Sequence, residues 1–447
     1  MTAIERLPAV EGKRSESRFA DPQFSILGLS VIAVAWLCLV PLGFLLYQSF
    51  MTPHTAANPA RFTLDNFIEA YSGEENLALL FNSLQFAFGT AVLALVIGTL
   101  LAWINERTNS PFKPAMYALS IVPLIIPGIL FVVAWIMLGS PKIGIINLAF
   151  QKMFGTDMVL INVYTMWGMI WVDGIHYAPI AFLLMTAAFR SMDPSLEESA
   201  MMSGASIAGI ASRITLKLAW PAAAAAFLIL FIRSIESFET PALLGLPVGI
   251  QVFTSSIYDA IHRYPSNVGL ASAYAITLLI ITSGGIWWQS RLSAQSGKYS
   301  TVTGKGFRPR VMDIGKWRYL TGAFLIVYGL LVVGLPFLVL VWSSLQKFYS
   351  VPSWQALQNL TLKPYETVIN FPSVGTAVWN SFMLAIGAAT TVMLLTAVLC
   401  WIVQRTKIPG RWLLDNLASV PLVLPGLVMG LSIMVCYLTI EIGRAHV

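Results

Sequence analysis

Apolar residues run along this chain in long blocks, not in the short alternation of half-buried strands. Nine blocks stand out, at roughly 24–50, 77–103, 114–138, 163–187, 219–240, 267–289, 319–344, 376–402 and 412–438. Each is long enough to cross about 30 Å of hydrocarbon as a helix. The pattern predicts an all-α polytopic membrane protein. Between the fourth and fifth blocks lies a polar stretch of different character, "LEESAMMSGASIAGIASRITLKLAWP", from Leu196 to Pro221. Asp193 is placed to cap a short helix, Pro194 suits its first position, and Glu197 and Glu198 lie at its positive end. Gly204 can end that helix in the left-handed conformation. Ser206 can start a second one, with Ile207, Ile210, Ala211, Ile214 and Leu218 on one face. The prediction is a compact knob made of two short helices at a corner of small residues.

Composition narrows the class. Of 447 residues, 57% are hydrophobic and only 11% charged, with mean hydropathy +0.74, which excludes a string of soluble domains. The first apolar run is too long for a signal peptide and lacks a small-residue cleavage site, so it reads as a retained span. The net charge of +6 matters less than its distribution. With the N-terminal tail (1–23) in the cytoplasm, nineteen Lys and Arg fall in inside segments and six in outside ones. That asymmetry predicts an N-terminus inside, and it makes the basic residues topological with no nucleic-acid partner. Cys38, Cys400 and Cys436 all lie in apolar runs, which suggests neither disulfides nor a metal knuckle.

The chain also repeats itself. "NSLQFAFGTAVLALVIGTLLAWINERT" begins at Asn82 and "NSFMLAIGAATTVMLLTAVLCWIVQRT" at Asn380, 298 positions on, and "VPLIIPG" from Val122 answers to "VPLVLPG" from Val420. The organisation expected is a first six-span repeat (24–289, with a cytoplasmic loop at 188–218), a basic linker (290–317), and a three-span second repeat (318–440) in the same orientation. The closing "EIGRAHV" has no counterpart in the repeat and resembles translated sequencing adapter. Residues 441–447 are therefore expected to be non-native, with the natural protein continuing through about three more spans; a natural short form is the alternative.

Within the spans two features carry candidate chemistry. Arg233, Glu236 and Glu239 fall at i, i+3 and i+6, so on one helix Arg233 and Glu236 can pair while Glu239 lies a turn further on. They mark either a translocation route or an internally neutralised structural pair. Pro123 and Pro127, matched by Pro421 and Pro425, interrupt equivalent spans and mark either a central pathway or packing kinks. His54, His176 and His262 read as structural or surface residues, and no spacing suggests a metal site or a cofactor.

The polar stretch resembles the cytoplasmic motif of ATP-binding-cassette importer permeases, which runs Glu-Ala-Ala, three residues, Gly, nine residues, Ile, one residue, Leu-Pro. Glu198, Ser199, Ala200, Gly204, Ile214 and Leu216 stand at those spacings; Ser199 replaces an alanine, and Lys217 stands where proline is expected, with Pro221 four residues later. The resemblance implies the type I importer permease fold. It also implies that Glu197, Glu198, Ser199, Ala200, Gly204, Ala205, Ile214 and Leu216 dock on a separate ATPase subunit, itself a dimer. An extracytoplasmic solute-binding protein and a bacterial inner-membrane location follow from the same resemblance. The chain itself has no G-x-x-x-x-G-K-[ST] phosphate loop, so it is expected not to be an enzyme. "ESFETPALLGLPVGIQVFTSSIY" and "TVTGKGFRPR" look like the fused, double-length permeases of iron(III) importers. Relatives of that subgroup carry phosphonates, thiamine or polyamines, and an ion-driven secondary carrier is the competing class.

Overall fold

The computed structural model describes residues 22–53, 59–193, 195–296 and 311–439. The N-terminal tail, His54, Pro194, most of the basic linker (including "TVTGKGFRPR") and residues 441–447 lie outside the described residues. Everything described is helix or connection; two isolated backbone bridges, Met51 with Phe62 and Thr108 with Met312, take the place of any sheet among the described residues.

In chain order the helices are α1 (Pro22–Ser49), α2 (Asp65–Tyr71), α3 (Glu74–Arg107), α4 (Lys113–Ile121), α5 (Gly128–Gly139), α6 (Ile145–Phe154), α7 (Met166–Ser191), α8 (Ser195–Met202), α9 (Ile207–Ile210), α10 (Leu216–Ile235), α11 (Phe253–His262) and α12 (Val268–Ser296). There follow α13 (Trp317–Gly329), α14 (Leu335–Ser344), α15 (Trp354–Gln358), α16 (Lys363–Ile369), α17 (Pro372–Arg405), α18 (Arg411–Val423) and α19 (Gly426–Thr439). Among the described residues seven straight helical runs are long and apolar enough to span a membrane.

Three expected features are corrected. The blocks 114–138 and 412–438 are not single straight helices. Each is two helices bent by 102°, Lys113–Leu124 against Gly128–Gly139 and Arg411–Pro421 against Gly426–Thr439. The break falls where Pro127 and Pro425 remove a helical donor and force the preceding residue out of the helical region. The second knob helix does not stop: α9 passes through a widened π turn (Ala211–Thr215) into α10, giving one run from Ile207 to Ile235. Finally, residues expected in an outside loop form a third bent pair, Pro241–Val248 against Phe253–His262, at 74°.

The repeat read from sequence is a repeat of structure. Helix limits 65 and 363, 74 and 372, 107 and 405, 113 and 411, and 128 and 426 are all 298 apart. Even small devices recur. The Thr63 hydroxyl accepts the Asp65 N–H at 3.0 Å, and Thr361 accepts that of Lys363 at 3.1 Å. Thr108 and Thr406 each donate back to a carbonyl four residues earlier at 2.6 Å.

The two copies pack reciprocally. The first helix of copy one, α1, lies on the broken span α18–α19 of copy two, and α13–α14 of copy two lie on α4–α5 of copy one. Like contacts exchanged in both directions are the signature of a two-fold relation, here an approximate one within a single chain. Within copy one the tightest pairing is α3 along α7. Small residues let the backbones approach there: a methyl on Gly98 would run into Ala181 and the Ala178 carbonyl, and one on Gly174 would run into Leu93. Between spans, the Tyr349 hydroxyl of copy two donates to the Met137 and Ile143 carbonyls of copy one at 3.1 and 3.0 Å.

Candidate functional site: a docking knob and a polar chamber

The knob is built by its caps. The Asp193 carboxylate accepts the Ser195 N–H at 2.9 Å and so starts α8. At the other end Ala205 N–H donates to the Ala200 carbonyl and Gly204 N–H to that of Met201, both at 3.0 Å, with Gly204 at φ +81°. These are the two bonds of a Schellman closure, and the positive φ is why glycine stands there. Ser206 then accepts the Gly209 N–H at 3.2 Å and opens α9. The corner from Met202 to Ser206 is exposed, with Met202 almost fully so at 92%.

The predicted docking residues divide into two groups. Ser199, Gly204, Ala205 and Leu216 are exposed, and Glu198, Ala200 and Ile214 are half-buried. Glu197 faces inward instead and is 3% exposed. One of its carboxylate oxygens accepts the Thr215 hydroxyl at 2.6 Å, and the other lies 3.4 Å from Arg107 Nε. The π turn rotates Thr215 into that position. Arg107, itself 1% exposed, also donates through Nη2 to the carbonyls of Phe189 at 2.9 Å and Met192 at 3.5 Å. The knob is thus pinned to the ends of α3 and α7. Pro221, four residues after the position where the motif has proline, sits inside α10.

The same corner holds the start of copy two. Met312 N–H donates to the Arg107 carbonyl at 2.9 Å, and Asn109 N–H donates to the Met312 carbonyl at 3.1 Å. The Asn109 side chain donates to Asp313 at 2.6 Å and accepts the Ile314 N–H at 3.1 Å. Asp313 also accepts the Gly315 N–H at 2.9 Å. These donors, the Gly315 backbone first and the Asn109 amide second, hold the exposed Asp313 carboxyl below the usual carboxylate range.

The second element lies in the span region. The expected ladder of Arg233, Glu236 and Glu239 on one helix does not form, because α10 ends at Ile235 with Glu236 as its cap residue. Among the described residues Arg233 and Glu236 do not close to an ion pair. Residues 236–240 form a polar turn, and its hydroxyls are satisfied by a residue that no local motif singles out: Asp173 on α7. Ser237 and Thr240 donate to one Asp173 oxygen at 3.2 and 2.8 Å. Irregular backbone at membrane depth survives where protein or a cavity satisfies it, which is the case here.

Around that turn is a chamber of about 100 Å³, lined by Gly128, Phe131, Val132, Asp173, His176, Tyr177, Glu239 and Thr240. Glu239 therefore comes to the broken span: a methyl placed on Gly128 would sit 3.5 Å from the Glu239 carboxyl carbon. Pro127 caps the helix that begins there, and Pro123 is buried in the turn before it. Pro421 and Pro425 occupy the equivalent break of copy two. Arg233 is exposed, and Glu236 does not line the chamber. His176 does, packed 5.0 Å from the Phe131 ring. Asp173 and His176 were legible only as polar residues inside an apolar block. Among the described residues no three His, Cys, Asp or Glu side chains converge on a metal site.

Residues 80–295, which hold both the knob and the chamber, match the family described as binding-protein-dependent transport system inner membrane component. The chain is 27% identical over 268 residues to the putative ferric transport system permease protein FbpB 1 of Haemophilus influenzae, covering 59% of this chain and 41% of that protein. It is 25% identical over 198 residues to the sulfoquinovosyl glycerol transport system permease protein SmoH of Agrobacterium fabrum, covering 43% of this chain and 63% of that one. The chain thus spans about two fifths of the length of the ferric relative. A crystal structure of a bacterial ABC transporter that imports alginate aligns with 62% of this chain and 96% of its own, at TM-score 0.49 and 20% identity.

Proposed function

We propose that the chain is the membrane permease of an ATP-driven, binding-protein-dependent importer, with its knob facing the cytoplasm. The observation that carries this is the knob itself. A short helix closed by a left-handed glycine presents Met202, Ser203, Gly204 and Ala205 to solvent, while Glu197 and Arg107 lock its rear to the spans. A rigid, exposed corner on a buried ionic root can pass motion from a docked protein into α3 and α7. ATP is then hydrolysed by that separate subunit, and a solute-binding protein delivers cargo from the other face.

Iron(III) is the leading cargo, supported by the likeness to the ferric relative and by the sequence around Glu236–Tyr258. The sulfoquinovosyl glycerol relative favours a small organic solute as the second reading. The residues proposed to line the route are those at the paired breaks, Pro123 and Pro127 with Glu239, and Pro421 and Pro425 in copy two. Reconstitution with a partner ATPase and solute-binding protein tests the reading. Glu198→Arg and Gly204→Pro should abolish ATP-dependent uptake while leaving membrane insertion intact. Unchanged uptake in both, or uptake driven by a proton gradient without ATPase, would overturn it.

A further inference from the structure

The chamber behind the first broken span has a charge problem that the transport reading does not resolve. Asp173 is 3% exposed, and only one of its two carboxylate oxygens is bonded. The other oxygen is buried without a hydrogen-bond partner, as is His176 Nδ1. The residues lining the cavity bring a second carboxylate, Glu239, and no Lys or Arg. Arg233, the nearest cation along the chain, is exposed at the end of α10, and its carbonyl accepts the Tyr177 hydroxyl at 3.4 Å. A carboxylate in the span region without a countercharge is strongly disfavoured.

We infer that the chamber binds one small monovalent metal cation, sodium or potassium, held by the free oxygen of Asp173 together with the Glu239 carboxylate and the Thr240 hydroxyl oxygen. The donors are hard oxygens, the kind such ions prefer. The cavity of about 100 Å³ has room for an ion together with water. A calcium ion would need six to eight oxygens, about twice what the walls offer, and no cluster of three metal-ligating side chains forms among the described residues. Ser237 and Thr240 act as positioning residues: by donating to the same Asp173 oxygen they turn the other toward the cavity. Gly128 leaves the space open on the side of the broken span.

The site rests on this geometry and not on the importer reading, and its test needs no ATPase. Purified full-length chain in lipid nanodiscs should bind sodium-22 saturably, with choline chloride setting ionic strength, and potassium should compete if it shares the site. Asp173→Asn should weaken binding by at least about tenfold, with Thr240→Val weakening it less. Glu239→Gln should also weaken it, because it removes a charged ligand; this variant keeps the test available if Asp173→Asn does not fold. Absence of saturable sodium binding, with potassium giving no more thermal stabilisation than choline, would overturn the inference. So would wild-type binding in a folded Asp173→Asn protein, or occupancy by protons alone, seen as a pH effect with no alkali-ion effect.

Discussion

Arg107, the last residue of the long helix α3, places its Nε 3.4 Å from Glu197 Oε2 on the knob helix, with both side chains almost completely buried. The pair joins the element proposed to receive the ATPase to a span that runs the depth of the bundle. Its equivalent in copy two, Arg405, is exposed, and so is most of α17, whose buried residue is Ile402. The burial of Arg107 therefore comes from what copy one packs around it, α7 and the knob.

Breaking this pair on one side should be costly. Arg107→Ala leaves Glu197 buried with only Thr215 as a donor, and about 3–5 kcal/mol is the expected loss for an orphaned buried charge. Replacing both partners, as Arg107→Met with Glu197→Leu, should restore most of it. Limited proteolysis at the Met202–Ser206 corner reads this directly: fast cleavage for the single variant and near wild-type protection for the double.

Gly204→Ala tests the left-handed closure without touching any contact, since nothing lies within 4 Å of the added methyl. The φ of +81° alone should cost about 1–2 kcal/mol. If the closed corner is the docking shape, affinity for the partner ATPase should fall by roughly 5- to 30-fold. Titration of the reconstituted permease with that subunit gives the number.

Phe112 and Gly410 occupy equivalent positions before α4 and α18, and both have positive φ, +65° and +97°. Phe112 is the described non-glycine residue with this conformation, and at 60% exposure it has little packing to lose. Phe112→Gly removes the left-handed penalty but loosens the unfolded chain, so a net gain of about 0.5 kcal/mol is expected. Gly410→Ala should instead lose about 1 kcal/mol. Denaturant titrations in mixed micelles should give opposite signs for the two.

The clip between Asn109 and Asp313 should be acid-sensitive. The folded pKa of Asp313 is depressed, so its stabilising effect is full above the unfolded value of about 3.9 and is lost as pH falls through the lower folded value. Hydrogen exchange at the Met312 and Ile314 amides should accelerate below about pH 4. Asp313→Asn should remove that acid step and leave faster exchange at neutral pH.

The local devices were legible along the chain. Asp193, Gly204 and Ser206 cap where their types and spacing say they should, because caps and left-handed turns are decided by a few neighbouring residues. The 298-residue repeat was legible too, down to helix limits, since equal sequences adopt equal local structure. Apolar blocks long enough to span bilayer follow from composition alone. Tertiary structure decided the rest. Whether Glu197 or Glu198 turns inward depends on where Arg107 and Thr215 lie, the first 90 residues earlier in the chain. The ladder expected of Arg233, Glu236 and Glu239 failed because α10 ends at Ile235, and Asp173, on another helix, takes the Ser237 and Thr240 hydroxyls of the turn that follows. The prolines showed where a span would be interrupted. The 102° bends, and the reciprocal seating of each copy's first helix on the other copy's broken span, depend on contacts between residues hundreds of positions apart, which no local pattern encodes.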